Sequence, residues 1–291
     1  MVAFMDKTAD RPETCLVCGD ACFEGVFDVL LRCRRCGFIT ARQGDDMVQP
    51  HRLYEGDYFT GGEYLDYLDD ERLFRPNFRS RLAHLRRYVS SGRLLEIGAA
   101  YGFFLDEASR FFDGVGFEIN PDAVVHARGR LQLDVRTDDF LSVRETDIGG
   151  PVDVAVLWDV IEHLDRPDLV IEHLADLSKP GALLCLTTGD IGSTLARIRG
   201  KRWRMIHPPT HLHYFNRATI TRLLARCGYD VIDIRTVGMA RSFRQILYSV
   251  LAIGLHASRA YKALSALIPA GRGVTVNTFD IMQVTARRQS T

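Results

Sequence analysis

The stretch Arg93-Leu-Leu-Glu-Ile-Gly98-Ala-Ala-Tyr-Gly102-Phe-Phe-Leu decides the fold of this 291-residue chain. Leu94, Leu95 and Ile97 make a short apolar strand that breaks at a glycine turn, and the pattern after the turn is helical through Phe111. The same rhythm repeats downstream. Gly114 to Glu118 reads as a second strand, and Asn120-Pro121-Asp122 opens a helix. There Asn serves as cap, Pro takes the first helical position, and Asp sits at the positive end. Leu133 to Arg136 is a third strand. Val152 to Trp158 is a fourth, apolar enough to be covered on both faces. Pro167 to Leu177 is a helix, Lys179-Pro-Gly181 a turn and Ala182 to Thr187 a fifth strand. Strands alternating with helices at this pitch predict an α/β protein with a Rossmann-like, doubly wound, mostly parallel sheet.

Beyond Thr188 the rhythm loosens. Asn216 caps a helix to Cys227 with Gly228 just past its end, Tyr229 to Val237 is a sixth strand, two apolar helices follow, and Phe279 to Ala286 makes the last strand. Upstream, Phe74, Phe78, Leu82, Leu85 and Val89 recur at helical spacing with arginines between them, which predicts an amphipathic helix with a basic outer face. The chain then divides into a small module over 1–45, a linker and helix over 46–90, and the sheet domain over 91–291. Segments 189–215 and 238–272 read as acceptor-side or cover insertions, and the apolar helices of 241–268 read either as a cover on the acceptor pocket or as a homodimer face.

Five of the seven cysteines crowd between Cys15 and Cys36. Cys15-Leu-Val-Cys18-Gly and Cys33-Arg-Arg-Cys36-Gly are paired C-x-x-C-G knuckles at zinc-ribbon spacing. Zinc takes four thiolates in a tetrahedron, and each knuckle delivers two. Cys15, Cys18, Cys33 and Cys36 are therefore the candidate ligands of a structural Zn2+, with Cys22 left over and a hairpin expected between Phe23 and Arg32. A redox-active thiol pair is the competing reading of either knuckle.

Open α/β sheets bind ligands beyond the carboxyl ends of their strands. Glu96 and the loop Gly98, Ala99, Tyr101, Gly102 meet there, with Glu118, Asp138, Asp139, Phe140 and Trp158-Asp159-Val-Ile-Glu-His163. An acid at the end of the second strand suits a ribose, in nicotinamide enzymes as well as others. The dinucleotide fingerprint, however, needs G-x-G-x-x-G, and this loop reads Gly-Ala-Ala-Tyr-Gly. It lacks the middle glycine that admits a pyrophosphate, so a ligand without phosphates fits better.

The series Glu-Ile-Gly-Ala-Ala-Tyr-Gly-Phe, Phe-Glu-Ile-Asn, Trp-Asp-Val-Ile-Glu-His-Leu and Leu-Ser-Lys-Pro-Gly-Ala resembles the motifs of class I S-adenosylmethionine (SAM)-dependent methyltransferases. Pro209-Thr-His211-Leu-His213-Tyr-Phe215 and Leu223-Leu-Ala-Arg-Cys-Gly228-Tyr look like the branch that methylates small molecules. The knuckles, with Tyr54-Glu-Gly-Asp-Tyr58-Phe59, are similar to a bacterial subgroup associated with modified sugars and secondary metabolites. The resemblance covers about residues 90 to 240 and implies a seven-stranded sheet with its last strand antiparallel. It assigns Glu96 and the Gly98 to Gly102 loop, including Ala99 and Tyr101, to the methionine part of SAM. Glu118 would hold the ribose, Ile119 and Phe140 flank the adenine, Asp139 or Asp138 bond its amino group, and Trp158 and Asp159 line the methyl side. Ala100 stands where many relatives have glycine, which narrows the loop.

Methyl transfer needs alignment and, for some acceptors, a base. His163, His211 and His213 are the candidates, and His211 and His213, two apart in an extended segment, are expected to face one side. The run Arg197, Arg199, Lys201, Arg202, Trp203, Arg204 reads either as a solvated loop or as a clamp on an anionic acceptor such as a nucleotide-linked sugar. Lys+Arg and Asp+Glu both number 37. That balance disfavours nucleic acid as a partner and leaves RNA or protein methylation, with the cysteine module for docking, or a non-enzymatic SAM-fold binder, as alternatives to a small-molecule enzyme. The N-terminus carries no apolar signal, and Ile246 to Pro269 is interrupted by His256, Arg259 and Lys262, so a cytoplasmic protein with no transmembrane segment is expected.

Overall fold

A computed structural model describes residues 13–42, 67–68, 70–208, 210–248, 264–269 and 272–290, with 251 and 261. Most of the predicted linker, including Tyr54 to Phe59, lies outside the described residues, as do Pro209 and most of the second apolar helix.

The short strands β1 (Phe23–Val26), β2 (Leu30–Cys33) and β3 (Ile39–Ala41) belong to the cysteine module, and α1 (Glu71–Leu85) follows. The sheet domain then runs β4 (Gly92–Ile97), α2 (Phe103–Ala108), β5 (Phe112–Phe117), α3 (Pro121–Arg130), β6 (Asp134–Arg136), β7 (Val152–Trp158), α4 (Pro167–Leu177) and β8 (Ser178–Gly189). Its remainder is α5 (Thr194–Arg199), β9 (His213–Tyr214), α6 (Arg217–Arg226), β10 (Tyr229–Thr236), β11 (Met239–Ser242), α7 (Phe243–Tyr248), β12 (Gly273–Val276) and β13 (Ile281–Arg288). The main sheet has seven strands in the order β10-β13-β8-β7-β4-β5-β6. β4 pairs in parallel with both β5 and β7, whereas β13 runs antiparallel to both β8 and β10. The predicted doubly wound sheet with one reversed last strand is the observed one.

The central strands are apolar because both faces are covered. Leu94, Leu95, Val154, Val156, Leu157, Leu184 and Leu186 are all buried. Asn120 caps α3 by accepting the Ala123 N–H, and Asn216 forms a reciprocal capping box with Thr219 at the start of α6.

Three local expectations need correction, and one short strand is unannounced by the sequence. The predicted turn at Lys179-Pro-Gly181 is taken up in β8, whose register against β7 jumps between Val152↔Ser178 and Val154↔Leu183. The last strand starts at Ile281, two residues late, because Phe279 adopts a positive φ of 57° and the Asp280 side chain is fully buried as an acceptor for Trp203, Arg204 and Thr278. The face of α1 predicted to be basic and outward is partly turned inward. Arg75 bonds Glu71 in its own helix and Asp106 and Glu107 of α2, and Arg81 is buried. Finally, β9 joins no edge of the main sheet but extends the cysteine module, pairing with β3 through Ile39↔Tyr214 and Thr40↔His213.

That pairing joins the module to the domain. Val17, Phe23, Leu31 and Phe38 share one apolar cluster with Phe215, Ile220 and Leu223. The expected hairpin is β1–β2, whose three-residue loop from Phe27 to Val29 places Phe27 and Asp28 at φ 52° and 64° and is closed by the Val29 N–H donating to the Phe27 carbonyl. No helix among the described residues is long and apolar enough to cross a membrane.

Asp280 offers a direct test of how the insertion after β8 is held. Asp280→Ala strips the acceptor from the buried Trp203 indole and from Arg204, and urea unfolding is expected to show a loss of about 3 kcal/mol, in the range for breaking a buried charged network. A loss under about 0.5 kcal/mol would mean that the network is not formed.

Candidate active site

The strand ends are stitched together before any side chain acts. The Gly98 and Ala99 N–H groups both donate to the Phe117 carbonyl, the Glu118 N–H donates to Arg136 O, and the Asp159 N–H donates to Thr187. This leaves a crevice beyond β4, β5, β6 and β7, a cavity of about 640 Å³.

Glu118 closes the crevice floor. Its Oε2 accepts the Ala100 N–H at 2.7 Å and its Oε1 accepts the Asn120 N–H at 2.8 Å, so one carboxylate fixes the turns after β4 and β5. Burial raises its pKa, and these N–H donors oppose the rise. Glu96 is 2% exposed, and its Oε2 has no partner among the described residues. Burial raises its pKa well above the carboxylate range, and the neighbouring Glu118 charge adds to the effect. Trp158 Nε1 is likewise buried with no acceptor among the described residues. Orphaned buried polar atoms in a cavity wall mark places where a ligand supplies the missing partner.

Of the residues expected from sequence, Glu96, Gly98, Ala99, Glu118, Ile119, Asp138, Asp139, Phe140, Trp158, Asp159 and His163 line the cavity. Ile119 is 56% exposed, an apolar surface presented to whatever enters. Asp139 also caps a short turn by accepting the Leu141 N–H. Tyr101 and Gly102 are not in the lining. Tyr101 stacks beneath Tyr67, which is in it, and Gly102 is a packing residue at the head of α2. A Cβ on Gly102 would come within 2.7 Å of Leu133, and one on Gly98 within 2.4 Å of Val160. Both glycines also sit at positive φ, so side chains are excluded there on two counts.

The histidines separate. His163 lines the cavity, with Nδ1 2.8 Å from Thr210 O, and burial pushes its pKa down to about 4. His211 lies behind it, the ring centroids 4.6 Å apart, with its pKa pushed down to about 2 by burial and then by the neighbouring histidines. His213 points elsewhere. It bonds Thr40 and packs 5.6 Å from Phe38, under the cysteine module. The expectation that His211 and His213 share a side fails because only His213 lies in β9, and the backbone bends before it, where the Leu212 and His213 N–H groups both turn to the Glu162 carbonyl. None of the basic run from Arg197 to Arg204 lines the cavity. Trp203 and Arg204 hold Asp280, and Lys201 pairs with Asp28 of the module.

The sequence reading did not single out Tyr67, Thr137, Val160, Leu164, Asp165, Arg166 or Val170 as cavity residues. It also missed Arg81, which lies over the Trp158 ring at 5.0 Å and bonds Asp159 at 3.1 Å. A buried arginine on an amphipathic helix carries no sequence signal apart from its position among Phe78, Leu82 and Leu85.

The charge of the wall is one-sided. Glu96, Glu118, Asp138, Asp139, Asp159 and Asp165 line it, and Arg166, already paired with Asp168, is the one lysine or arginine among the described lining residues. A cationic ligand is favoured and a pyrophosphate repelled.

At the module, Cys15 and Cys36 Sγ are 3.5 Å apart, and Cys18 and Cys33 Sγ 3.6 Å. All four sulfur atoms lie within 4.8 Å of one another. Four thiolates at the usual Zn–S distance of about 2.3 Å stand about 3.8 Å apart, so the donor set has the size of a tetrahedral zinc site. Gly19 and Gly37, one after each knuckle, take φ of 73° and 77°. Cys22 is exposed and outside the cluster.

The methyltransferase-domain family matches residues 70–234, more than half of the chain. The chain belongs to that family. It is 27% identical over 151 residues to the ubiquinone biosynthesis O-methyltransferase of Cereibacter sphaeroides, an overlap of 48% of this chain and 61% of that one. The chain thus spans about three fifths of that curated relative's length. Its fold is similar to the magnesium protoporphyrin IX methyltransferase of Synechocystis PCC 6803 solved with bound SAM, with a TM-score of 0.51 and 14% identity over 84% of this chain and 99% of that one. A SAM-dependent methyltransferase from Archaeoglobus fulgidus matches with a TM-score of 0.50 and 17% identity over 76% of this chain and 99% of that one. At such identities the likeness speaks for the fold, which is that of the class I SAM-dependent methyltransferases.

Ala100 takes φ 46°, a left-handed conformation that costs an L-residue about 1–2 kcal/mol. Ala100→Gly is expected to raise the urea unfolding free energy by roughly 0.5–1 kcal/mol once the extra chain entropy of glycine is subtracted. A destabilised variant would show that the turn is not strained at this position.

Proposed function

We propose that the protein binds SAM in the crevice beyond β4, β5, β6 and β7 and transfers its methyl group to a small-molecule acceptor. The observation that carries this reading is a phosphate-hostile, carboxylate-rich wall around a loop held open by Gly98. SAM carries a sulfonium and an ammonium and has no phosphate. The unpartnered Glu96 Oε2 suits the ammonium of the methionine part, Glu118 the ribose hydroxyls, Ile119 and Phe140 the adenine faces, and Asp138 or Asp139 its amino group. Trp158 and Asp159 wall the methyl side, with Arg81 fixing the Asp159 carboxylate from behind.

The reaction is an in-line displacement. The acceptor's lone pair forms the new bond to the methyl carbon, the C–S bond breaks with its pair left on sulfur, and S-adenosylhomocysteine and the methylated acceptor result. An acidic acceptor proton passes to solvent or a base. The protein's share is chiefly alignment, worth roughly 7–11 kcal/mol for well-oriented reactants. Of the three candidate histidines only His163 lines the cavity, which makes it the one to face the acceptor. The small-molecule reading draws support from the curated relative named for ubiquinone biosynthesis.

We further propose that Cys15, Cys18, Cys33 and Cys36 hold a structural zinc. The S···S distances fit, and four thiolates leave no position for a substrate. The module over 1–45 then folds on its metal and on the domain core together.

Calorimetric titration of SAM tests the central reading. The native chain is expected to bind it, and Glu118→Ala to bind at least about tenfold more weakly, the equivalent of a lost charged hydrogen bond. No heat with SAM in the native chain would overturn the assignment, and an unchanged affinity in the variant would remove Glu118 from the site. Protein purified without chelator is expected to retain zinc that Cys15→Ser and Cys33→Ser variants lose. Zinc-free native protein would overturn the metal assignment.

A further inference from the structure

Behind the cavity wall, Glu162, His163 and His211 each bring one ligand atom to a common point, all within 4.8 Å of one another. The loop after β7 supplies the first two, and the segment leading into β9 supplies the third. The backbone clamps these segments together, since the Leu212 and His213 N–H groups both donate to the Glu162 carbonyl, at 2.8 and 3.1 Å.

The hydrogen bonds fix which ring nitrogen carries the proton. His163 Nδ1 lies 2.8 Å from Thr210 O, and His211 Nδ1 lies 2.8 Å from Met205 O. A carbonyl only accepts, so each Nδ1 is the protonated nitrogen and each Nε2 presents a lone pair. His207 follows the same logic. Its Nδ1 lies 2.6 Å from the Thr210 hydroxyl, whose proton is given to the His207 carbonyl, so this Nδ1 also donates. The His207 ring lies 3.9 Å from that of His211, tilted by 39°. Neutral imidazoles and a carboxylate buried to 2% exposure therefore stand together. Histidines oriented by an Nδ1–H···O=C bond are the usual form of metal-bound imidazole.

We propose that Glu162, His163 and His211 form a binding site for a divalent transition-metal ion at the acceptor end of the cavity. Two imidazoles and one carboxylate suit Zn2+, Mn2+, Fe2+ or Co2+ rather than Mg2+ or Ca2+, which take oxygen ligands. Three protein ligands leave a coordination position for an outside oxygen, and His163, shared with the cavity lining, puts that position within reach of the acceptor. A cation there lowers the pKa of a coordinated hydroxyl, whose proton goes to solvent. The acceptor class it selects is an alcohol, phenol or enol oxygen. That choice of acceptor rests on the methyl-transfer reading; the cation site does not.

The test uses the full chain loaded with one equivalent of zinc, which the four thiolates take in preference to the histidine site, and then titrated with Mn2+, which thiolates do not favour. Electron paramagnetic resonance of free Mn2+ is expected to show one ion taken up per chain, and His211→Asn and Glu162→Gln to weaken uptake at least about tenfold. SAM affinity within about twofold of the native value would show the variants to be folded, since neither residue lines the cavity. Should a variant fail to fold, the native chain still decides: bound Mn2+ is expected to broaden the His163 and His211 ring proton signals before those of His126 and His173. No uptake at millimolar Mn2+, equal uptake by folded variants, or uniform broadening would overturn the site and leave a cluster that merely shares protons. Mn2+ uptake without SAM binding would overturn the methyl-transfer reading and keep the metal site.

Discussion

Glu118 is the constraint on which the crevice depends. A single buried carboxylate takes one backbone N–H from the turn after β4 and another from the turn after β5, so the two loops cannot drift apart without leaving a charge unsolvated. Each such bond to a charged acceptor is worth about 1.5–3 kcal/mol, and leaving the group buried without them costs more than the bonds return. The glycine at 98 completes the arrangement by letting Val160 approach the loop from β7. Crevice shape is thus set by main-chain hydrogen bonds and one side chain, all rooted in the parallel register of β4 with its neighbours.

The electrostatics follow from that frame. The Glu118 charge raises the cost of ionising Glu96, and burial removes the water that would screen both. The crevice is a poor home for two bare carboxylates and a good one for carboxylates facing a cation. Arg81 partly offsets this, but its own bond is to Asp159, and it stacks on Trp158, so it stabilises the wall more than it neutralises the floor.

Much of the sheet was legible because the central strands β7 and β8 carry near-continuous apolar runs and some helices begin with their own punctuation, as at Asn120-Pro121. The acids at 96 and 118 were legible because they close strands. What was hidden depended on contacts distant in sequence. β9 is two residues long and exists only because β3 is there to pair with it, so no local pattern announces it. The split between His211 and His213 follows from that pairing. Tyr101 and Gly102 were read as ligand contacts from the loop they belong to, yet the loop's far end packs against α3 and Leu133. Arg81 was read as part of a solvated face because periodicity places a residue on a side of a helix but cannot say what packs against that side.

The strand from His213 to Tyr214 has a mechanical consequence. It forms the fourth strand of the cysteine module's sheet, while His211, two residues earlier, stands against His163 at the cavity. Sulfur cluster and crevice therefore share a single rigid lever. Melting the knuckles withdraws the rail on which this histidine rides, so order at one end and alignment at the other are linked quantities, each able to bias the other by the free energy of the β3–β9 contact.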